Sequence, residues 1–415
     1  MIPTLFIFHG TNGCQPIDKG IDLIDLQKIK ESIQPPRFGV NYSPANSDTK
    51  KEFLSMAQAR MANFTPTHVF VDSVELTLLK DLDKLAVSYG FGVVRITFDH
   101  TIREAQEKNQ NTKEPMEDSA LKELFGKLKD FNRFSDWKTF NFYDLQHSRV
   151  MDNFEESPLD LTKHESVLFI GDIQGCNNSL LKVLEYAKLK NSYLIFTGDL
   201  TDRGPENFKV VETVMSLNAG KTLKVRGNHE TYSGLYWSGT RQSLRDSPFS
   251  ETQKEYDKLG VLDNKNLVQR LQNFYRTFHT IRVIKYGKKE ILVSHGGVNS
   301  WIDKGFWKYE GTSFIRGSNG YHLSSECDME FTQSLNSNLN RFAIRGHRNC
   351  KHLPVWHSAE QYEAGKTLQT ACLEQKVEYH PSNIVKSDVP DEGLENGHLA
   401  VLELTKSGFE TMRFV

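Results

Sequence analysis

The chain has 415 residues, a formal net charge of −2 and 38% hydrophobic residues, which is typical of a globular protein with two domains. It contains no apolar run of the roughly 20 residues that span a bilayer, and no basic segment precedes its first apolar residues, so neither membrane insertion nor a secretory signal is expected. Near-zero net charge excludes a polycation that binds nucleic acid through bulk charge, although a local basic groove stays open. Five widely spaced cysteines form neither a metal pattern nor a disulfide framework, which favours a reducing, cytoplasmic compartment.

The first 145 residues alternate apolar strands with helical patterns, which predicts a parallel α/β domain. The predicted strands are 5–8, 69–72 and 92–99, and the predicted helices are 76–87, 102–109 and 119–131. A phosphate-cradling loop after the first strand would read Gly-x-x-x-x-Gly-Lys-Ser/Thr. Counting from Gly10 puts Gln15, Pro16 and Ile17 at the second glycine, the lysine and the hydroxyl. Proline also lacks the backbone amide that a phosphate would use, so this loop predicts no phosphate site.

The opening strand and loop, together with Tyr89-Gly90-Phe91 leading to Phe98-Asp99, resemble the kinase domain of phage and bacterial polynucleotide kinase-phosphatases. In that family the lid carries Arg-Asn-x-x-Arg, whereas residues 108–112 read Lys-Asn-Gln-Asn-Thr and lack both arginines. The resemblance implies a P-loop-kinase-like domain at 1–145 that has lost kinase chemistry. A working kinase and an unrelated α/β domain stay open as alternatives. A linker is predicted at 146–163.

Five polar motifs follow apolar strands in the second part of the chain, 164–415. They are Gly171-Asp172-Ile173-Gln174-Gly175, Gly198–Gly204 (GDLTDRG), Arg226–Glu230 (RGNHE), His295-Gly296-Gly297 and Gly346-His347. Parallel sheets bind ligands at the carboxyl ends of their strands, where these motifs fall. The candidate metal ligands are Asp172, Gln174, Asp199, Asn228, His295 and His347. Carboxylates, imidazoles and amides suit Mn²⁺, Fe or Zn²⁺, and a bridging Asp199 predicts two metal ions.

The five motifs resemble those of the calcineurin-like metallophosphoesterases of the protein-phosphatase-like branch. The resemblance implies an α/β/β/α sandwich with two divalent ions, of which Mn²⁺ is favoured and Fe or Zn²⁺ stay open. Asp172 and Gln174 would belong to one ion, Asn228, His295 and His347 to the other, and Asp199 to both.

In that family a metal-bridging hydroxide attacks phosphorus. Arg203 would then bind the phosphate, and His229, oriented by Asp202, would protonate the leaving oxygen. The family usually carries histidine where this chain has Gln174, so the first ion is expected to bind weakly. Glutamine also occurs there in sequences that resemble diadenosine-tetraphosphate hydrolases.

Other residues near the motifs allow more than one interpretation. Arg226, Arg345 and Arg348 would contact either a substrate phosphate or a buried carboxylate. Cys176 is interpreted as a packing residue. Residues 231–266 form a polar insert, and 300–342 are predicted to form a rim loop.

The order of the two domains resembles the end-healing enzymes of RNA repair. This order implies hydrolysis of 3′-phosphate or 2′,3′-cyclic phosphate at RNA ends, with a phosphorylated substrate as the partner and no membrane. A protein serine/threonine/tyrosine phosphatase and a dinucleoside polyphosphate hydrolase are the alternative enzymes. A non-catalytic binding protein is the alternative outside enzymes, and the sequence does not fix the oligomeric state.

Overall fold

The computed structural model of the chain describes residues 3–9, 23–33, 45–63, 65–71, 76–99, 101–111, 115–133, 138–141, 156–237, 249–302, 306, 311–317, 330–331, 334–335, 338, 340–347, 355–356, 370–372 and 399–414. The chain divides into two compact units. The N-terminal unit consists mainly of Pro3–Glu155, and the C-terminal unit mainly of Glu156–Asp303 and Gly311–Val415. The predicted domain boundaries and the linker at 146–163 stay predictions.

The N-terminal unit contains a five-stranded sheet in the order β2-β3-β1-β4-β5. Its strands are β1 Thr4–His9, β2 Ile24–Asp25, β3 Thr67–Val71, β4 Gly92–Asp99 and β5 Lys138–Asn141. Its helices are α1 Leu26–Ile33, α2 Ser47–Ala62, α3 Leu76–Ser88, α4 Ile102–Gln110 and α5 Asp118–Arg133. Every pairing in the sheet is parallel, which confirms the predicted parallel α/β architecture of this region.

Helix α2 is the main element that the apolar pattern of this unit did not predict. It begins at the cap Asn46, whose side chain accepts a hydrogen bond from the Thr49 amide at 2.8 Å. Its buried face is one residue wide, at every fourth position: Thr49, Phe53, Ala57 and Met61. A threonine and an alanine in that row weaken the hydrophobic signal on which the prediction depended.

Asn109, in the segment compared with the kinase lid, is buried between α4 and the chain that follows it. Its side-chain amide donates to the Met116 carbonyl at 2.7 Å, and its side-chain oxygen accepts from the Met116 amide at 2.8 Å. These two bonds give Asn109 a role in fixing the connection between α4 and α5. Thr112 and the segment 10–17, which was compared with a phosphate loop, lie outside the described residues.

The C-terminal unit contains two sheets, in the orders β16-β15-β7-β8-β9 and β13-β14-β12-β11-β10-β6. Its strands are β6 Leu159–Asp160, β7 Ser166–Ile170, β8 Tyr193–Phe196, β9 Thr222–Lys224, β10 Ile281–Tyr286, β11 Lys289–Ser294, β12 Arg341–Arg345, β13 Val355–Trp356, β14 Thr370–Cys372, β15 Leu399–Thr405 and β16 Gly408–Phe414. Its helices are α6 Asn177–Leu189, α7 Asn207–Met215, α8 Asn228–Trp237, α9 Ser250–Lys258, α10 Lys265–Tyr275 and α11 Gly311–Arg316. The short strand β6 falls inside the range predicted as linker and pairs with β10.

The first sheet of the C-terminal unit is buried on both faces, which explains the uninterrupted apolar run at Val167–Ile170. Val167 and Phe169 lie in the core that also contains Val293 of the second sheet. Leu168 and Ile170 point the opposite way, into a core formed with the helices. Each of these side chains is fully buried, and burying one stabilises the fold by about 1.5–3 kcal/mol. The two sheets therefore pack face to face with helices over one outer face, while a helical layer over the other face stays a prediction.

In the C-terminal unit, β7, β8 and β9 run parallel to one another, and so do β11 and β12. All five of the polar motifs follow these strands at their carboxyl ends. No helix in the described part of the chain has the length and apolar character that a membrane span requires.

Candidate active site

Backbone hydrogen bonds hold the loops after β7 and β8 together. The amides of Ile173 and Gln174 both donate to the Asp199 carbonyl at 3.0 Å. Glycine makes the neighbouring close approach possible. A Cβ on Gly227 would lie 2.1 Å from the Asp199 Oδ1 atom, and a Cβ on Gly198, where φ is +109°, would lie 2.7 Å from the Gly227 amide nitrogen. A larger residue at either position would push the second and third motifs apart.

Three side chains from separate motifs meet at the His295 ring. Its Nε2 atom lies 3.1 Å from Asn228 Oδ1, 3.2 Å from His347 Nδ1 and 3.3 Å from Asp199 Oδ1. All four side chains are buried, and Asp199, His295 and His347 offer donor atoms within 4.8 Å of one another. The structure thus brings together the residues that the sequence assigned to the second ion, with Asp199 among them.

The orientation of the His295 ring is fixed on its far side. Its Nδ1 atom donates to the Thr197 carbonyl at 2.8 Å. A proton held at Nδ1 leaves Nε2 with its lone pair directed at the cluster, the tautomer in which a histidine binds a metal ion.

The electrostatics of the cluster favour a cation. Burial opposes a charged His295, yet the carboxylates of Asp199 and Asp172 raise the pKa of this ring to about 9. Burial likewise opposes a charged Asp199, but His229 and His295 lower the pKa of its carboxyl. Buried carboxylates that draw protons onto nearby imidazoles also attract a metal ion, which displaces those protons. The donor set of carboxylate, amide oxygen and two imidazoles therefore fits a divalent transition metal.

The two residues assigned to the other ion have protein partners. The Asp172 carboxylate accepts a hydrogen bond from the His347 amide at 3.2 Å, which ties the first motif to the last. The Gln174 Oε1 atom accepts from Arg203 Nη1 at 3.3 Å. The amide oxygen at the position where the family usually has histidine is therefore shared with an arginine.

His229 and Asp202 form a buried pair beside the cluster. His229 Nδ1 is hydrogen-bonded to Asp202 Oδ2, and His229 Nε2 lies 3.5 Å from Asp199 Oδ2. Burial lowers the pKa of His229, but Asp199 and Asp202 outweigh it and raise that pKa to about 9. A protonated imidazole with one nitrogen on a carboxylate and the other facing the cluster is placed to donate a proton there.

The calcineurin-like phosphoesterase family matches residues 166–378, just over half of the 415-residue chain. The chain belongs to this family. The matched range contains all five of the motifs and the cluster around His295. The family implies divalent metal ions.

The chain is similar to the symmetrical bis(5′-nucleosyl)-tetraphosphatase of Buchnera aphidicola subsp. Baizongia pistaciae, with 33% identity over 141 residues that cover 33% of this chain and 46% of the relative. It is 27% identical to the same enzyme of Buchnera aphidicola subsp. Schizaphis graminum over 179 residues, which cover 42% of this chain and 60% of that relative. The chain thus spans about half the length of these curated relatives.

A protein serine/threonine phosphatase from Saccharomyces cerevisiae aligns in structure with 15% identity and a TM-score of 0.39, covering 65% of this chain and 86% of that one. A likeness this low carries no argument about function. The kinase-like identity of the N-terminal unit and the polynucleotide kinase-phosphatase arrangement stay predictions.

Three buried residues support the phosphoesterase site without having been predicted as part of it. The Glu230 carboxylate accepts from the amides of Asp199 at 3.0 Å, Leu200 at 2.9 Å and Gly227 at 2.6 Å. Glu230 belongs to the third motif, but the sequence did not show that its carboxylate is buried and accepts these bonds. Asn207 and Thr252 bind Asp202, one through its amide and one through its carboxylate.

The three arginines predicted near the substrate occupy different environments. Arg203 is exposed beside Gln174. Arg345 is buried, and its side chain crosses Gly297, where a Cβ would meet Arg345 Cδ at 2.5 Å. Arg226 is 1% exposed, and its Nη2 atom donates to the Tyr275 carbonyl at the end of α10 at 2.7 Å. That placement gives Arg226 a structural role at a helix C-terminus, and its contact with a substrate phosphate stays a prediction.

Backbone strain is concentrated at the same loops. Positive φ angles, which non-glycine residues rarely adopt, occur at Gln174 (48°), Asp199 (51°), Asp202 (79°), Arg203 (61°) and His347 (71°). Such conformations persist only where surrounding contacts hold them. Here the contacts include the Glu230 and Asn207 hydrogen bonds described above.

The remaining predictions near the site concern Cys176, Arg348 and the rim loop at 300–342. Cys176 is partly buried, and its Sγ atom lies 3.7 Å from the Gln174 carbonyl oxygen. Arg348 and most of the predicted rim loop at 300–342 lie outside the described residues. Within that loop, α11 is described, and its Phe314 carbonyl accepts from the Gly296 amide at 2.6 Å.

Proposed function

We propose that the chain is a metal-dependent hydrolase of phosphoric esters. The observation that carries this proposal is the convergence of Asp199, Asn228, His295 and His347 on one buried point beside the His229–Asp202 pair. Metal donors next to a protonated imidazole are the two components that hydrolysis of a phosphate ester needs. The family and its phosphatase relatives support the same class of reaction.

The candidate metal ligands divide into two sets that share Asp199. Asp199, Asn228, His295 and His347 would hold one ion, and Asp172 and Gln174 would hold the other together with Asp199. A divalent ion supplies positive charge to the phosphoryl oxygens and lowers the pKa of water. Mn²⁺ is our first choice, and Fe or Zn²⁺ suit the same ligands.

The side chains of this chain have separate tasks in the reaction. The exposed Arg203 guanidinium binds two phosphate oxygens as a planar fork. To do so, it gives up its hydrogen bond to Gln174. Attack by a water oxygen forms a new bond to phosphorus as the bond to the leaving oxygen breaks. The leaving oxygen takes the proton from His229 Nε2, and the product phosphate keeps one proton of the water. The other proton of the water passes to solvent, and His229 regains a proton from solvent.

For the substrate we propose RNA ends that carry a 3′-phosphate or a 2′,3′-cyclic phosphate. The support is the order of the units, a parallel α/β unit ahead of the phosphoesterase unit, as in end-healing enzymes. The N-terminal unit would then hold the RNA strand.

A dinucleoside tetraphosphate is the second candidate substrate. The observation that favours it is the similarity to relatives named bis(5′-nucleosyl)-tetraphosphatases. These relatives share about half their length with this chain.

One experiment tests both proposals. Metal-stripped full-length protein is supplied with Mn²⁺ and given, in parallel, a 2′,3′-cyclic-phosphate RNA, a 3′-phosphate RNA, a dinucleoside tetraphosphate, a phosphopeptide and p-nitrophenyl phosphate. Asp199→Asn is the inactive control, and Asp160→Asn, an exposed carboxylate on β6, is its matched control.

The outcomes separate the reaction from the substrate. Release of phosphate from RNA ends that Asp199→Asn abolishes would support the RNA proposal. Preference for the tetraphosphate or the phosphopeptide would keep the hydrolase and reject RNA ends. No turnover on any substrate would reject the hydrolase and favour a non-catalytic binding protein.

A further inference from the structure

One helix of the polar insert at 231–266 reaches the proposed general-acid pair. Helix α9 places Thr252 against Asp202, and the Thr252 hydroxyl donates to Asp202 Oδ1. The other carboxylate oxygen, Oδ2, is the one bonded to His229. Asp202 is therefore held between a histidine of the third motif and a threonine that is 50 residues further along the chain.

A second residue of α9 holds the backbone of Asp202 indirectly. The Glu255 carboxylate accepts from the amides of Asn207 and Phe208, each at 3.0 Å, and from the Asn207 side-chain amide at 3.0 Å. Asn207 in turn accepts from the Asp202 amide at 2.7 Å. The N-cap residue of α7, Glu206, makes no side-chain cap bond, so Glu255 supplies the acceptors that this helix N-terminus needs.

These contacts come from one face of a firmly packed helix. Thr252 and Glu255 are three residues apart and so lie on the same side of α9. Tyr256, on the next turn, is fully buried and meets the Phe208 ring edge-on at 5.7 Å. Phe249, just before the helix, is also fully buried. Helix α9 is thus anchored independently of the bonds that it makes to Asp202 and Asn207.

We infer that α9 is a positioning element of the reaction, in which Thr252 fixes the Asp202 carboxylate so that His229 Nε2 faces the leaving oxygen. The inference rests on the proposed function. Asp202 and His229 can each rotate about two side-chain bonds, so neither residue alone fixes the direction of the ring. A carboxylate held at both oxygens has one orientation, and the imidazole bound to it has one as well.

A structural role alone predicts a different pattern of effects. If Thr252 only stabilised the fold, its loss would slow all substrates equally. A threonine that aims the general acid matters most where the leaving oxygen is basic, because an acidic phenol leaves without a proton. The dependence of the rate on the leaving group therefore separates the two roles.

The test uses Thr252→Val in the full-length Mn²⁺ protein with p-nitrophenyl phosphate and phenyl phosphate, which differ chiefly in the acidity of the leaving phenol. We expect kcat to fall at least fivefold more on phenyl phosphate than on p-nitrophenyl phosphate, with KM unchanged. Thr252→Ser, which restores the hydroxyl, should recover most of the difference. Thr213→Val removes a comparable hydroxyl bond, to Asn177 at 3.0 Å, and should change neither rate.

Each other result overturns the inference. An equal loss on both substrates, a loss confined to KM, or no rescue by serine would assign Thr252 to the fold alone. If circular dichroism shows that Thr252→Val does not fold, Glu255→Gln is assayed with the same two substrates. The expected result is again a larger loss of kcat on phenyl phosphate than on p-nitrophenyl phosphate. A wild-type protein that hydrolyses neither phenyl phosphate nor any of the five substrates above would reject the proposed function itself, whereas an active wild type without the selective loss rejects only the role of α9.

Discussion

The N-terminal and phosphoesterase units both contain neighbouring parallel strands, but they bury different groups where those strands end. In the described part of the N-terminal unit, buried polar side chains at strand ends, such as His9 of β1 and Asp25 of β2, form no cluster of three or more metal donors. In the phosphoesterase unit they converge, with carboxylates, imidazoles and an amide in contact. A parallel sheet can therefore carry an active site at its strand ends, but the residues in the loops there determine whether the functional groups are present.

The largest expected effect comes from removing a buried carboxylate near a strand end, Asp199 in the phosphoesterase unit, in comparison with Asp25 in the N-terminal unit. Asp199→Asn removes the charge that links the metal donors to His229, so kcat/KM on p-nitrophenyl phosphate should fall about 10³-fold, equivalent to about 4 kcal/mol. Metal content, measured by atomic emission, should fall as well. Asp25→Asn, at the end of β2, should lower the stability of the N-terminal unit by about 1–2 kcal/mol and leave kcat unchanged. Equal losses of activity in the two variants would break the comparison.

A smaller effect concerns His279, a buried imidazole that the folded phosphoesterase unit keeps uncharged at neutral pH. Burial, only partly offset by Glu156, lowers the pKa of His279 to about 4. Above pH 6.5 the ring is neutral in the folded and the unfolded chain. Below that pH the unfolded chain binds a proton that the folded ring does not take up until about pH 4, so stability falls as the pH drops. We expect this residue to cost about 2–3 kcal/mol by pH 4.

Urea unfolding at pH 7 and pH 4.5 would measure this loss, with His279→Gln as the comparison because glutamine does not titrate. The variant should lose less stability than the wild type between the two pH values, and only in the transition of the phosphoesterase unit. Identical pH dependence in the two proteins would show that His279 is protonated when folded.

The smallest expected effect concerns Gln174 and the metal ion that is expected to bind more weakly. An imidazole is a stronger ligand than an amide oxygen shared with Arg203, so Gln174→His should tighten the weaker Mn²⁺ site about tenfold. A calorimetric Mn²⁺ titration would measure it. Asn191→His is the matched control, because Asn191 is exposed and has a φ of 50°, close to the 48° of Gln174. No difference between the two variants would remove Gln174 from the metal site.

The strand ends of the phosphoesterase site were predictable because their signal is local. Runs such as Val167–Ile170 are apolar throughout, since both faces of that sheet are buried, and each ends in a glycine-containing motif. The β10–β11 hairpin has an equally local signal, a glycine turn between two apolar strands. The grouping of the motif residues followed from the rule that parallel strands present their ends together.

The remaining features depend on contacts between distant residues or on weak patterns. Thr252 lies in a polar segment with no motif, and only the folded chain places it on Asp202. Arg226 carries the same charge whether it binds a phosphate or the Tyr275 carbonyl, so its sequence neighbours could not distinguish the two. Strand β6 is two residues long, too short for a period to be read.

The pairing of β7 with β15 has a consequence for how the phosphoesterase unit forms. β7 is the first strand of its sheet in the chain, yet the partner on one of its sides is Leu399–Thr405, more than 200 residues later. During synthesis that side of β7 is an open edge, and it stays open after every motif residue from Asp172 to His347 has left the ribosome. Contacts so distant in sequence slow folding, and an unpaired edge invites pairing with other chains. The sheet that carries Asp172, Asp199 and Asn228 is therefore completed only after all the candidate metal ligands have been made.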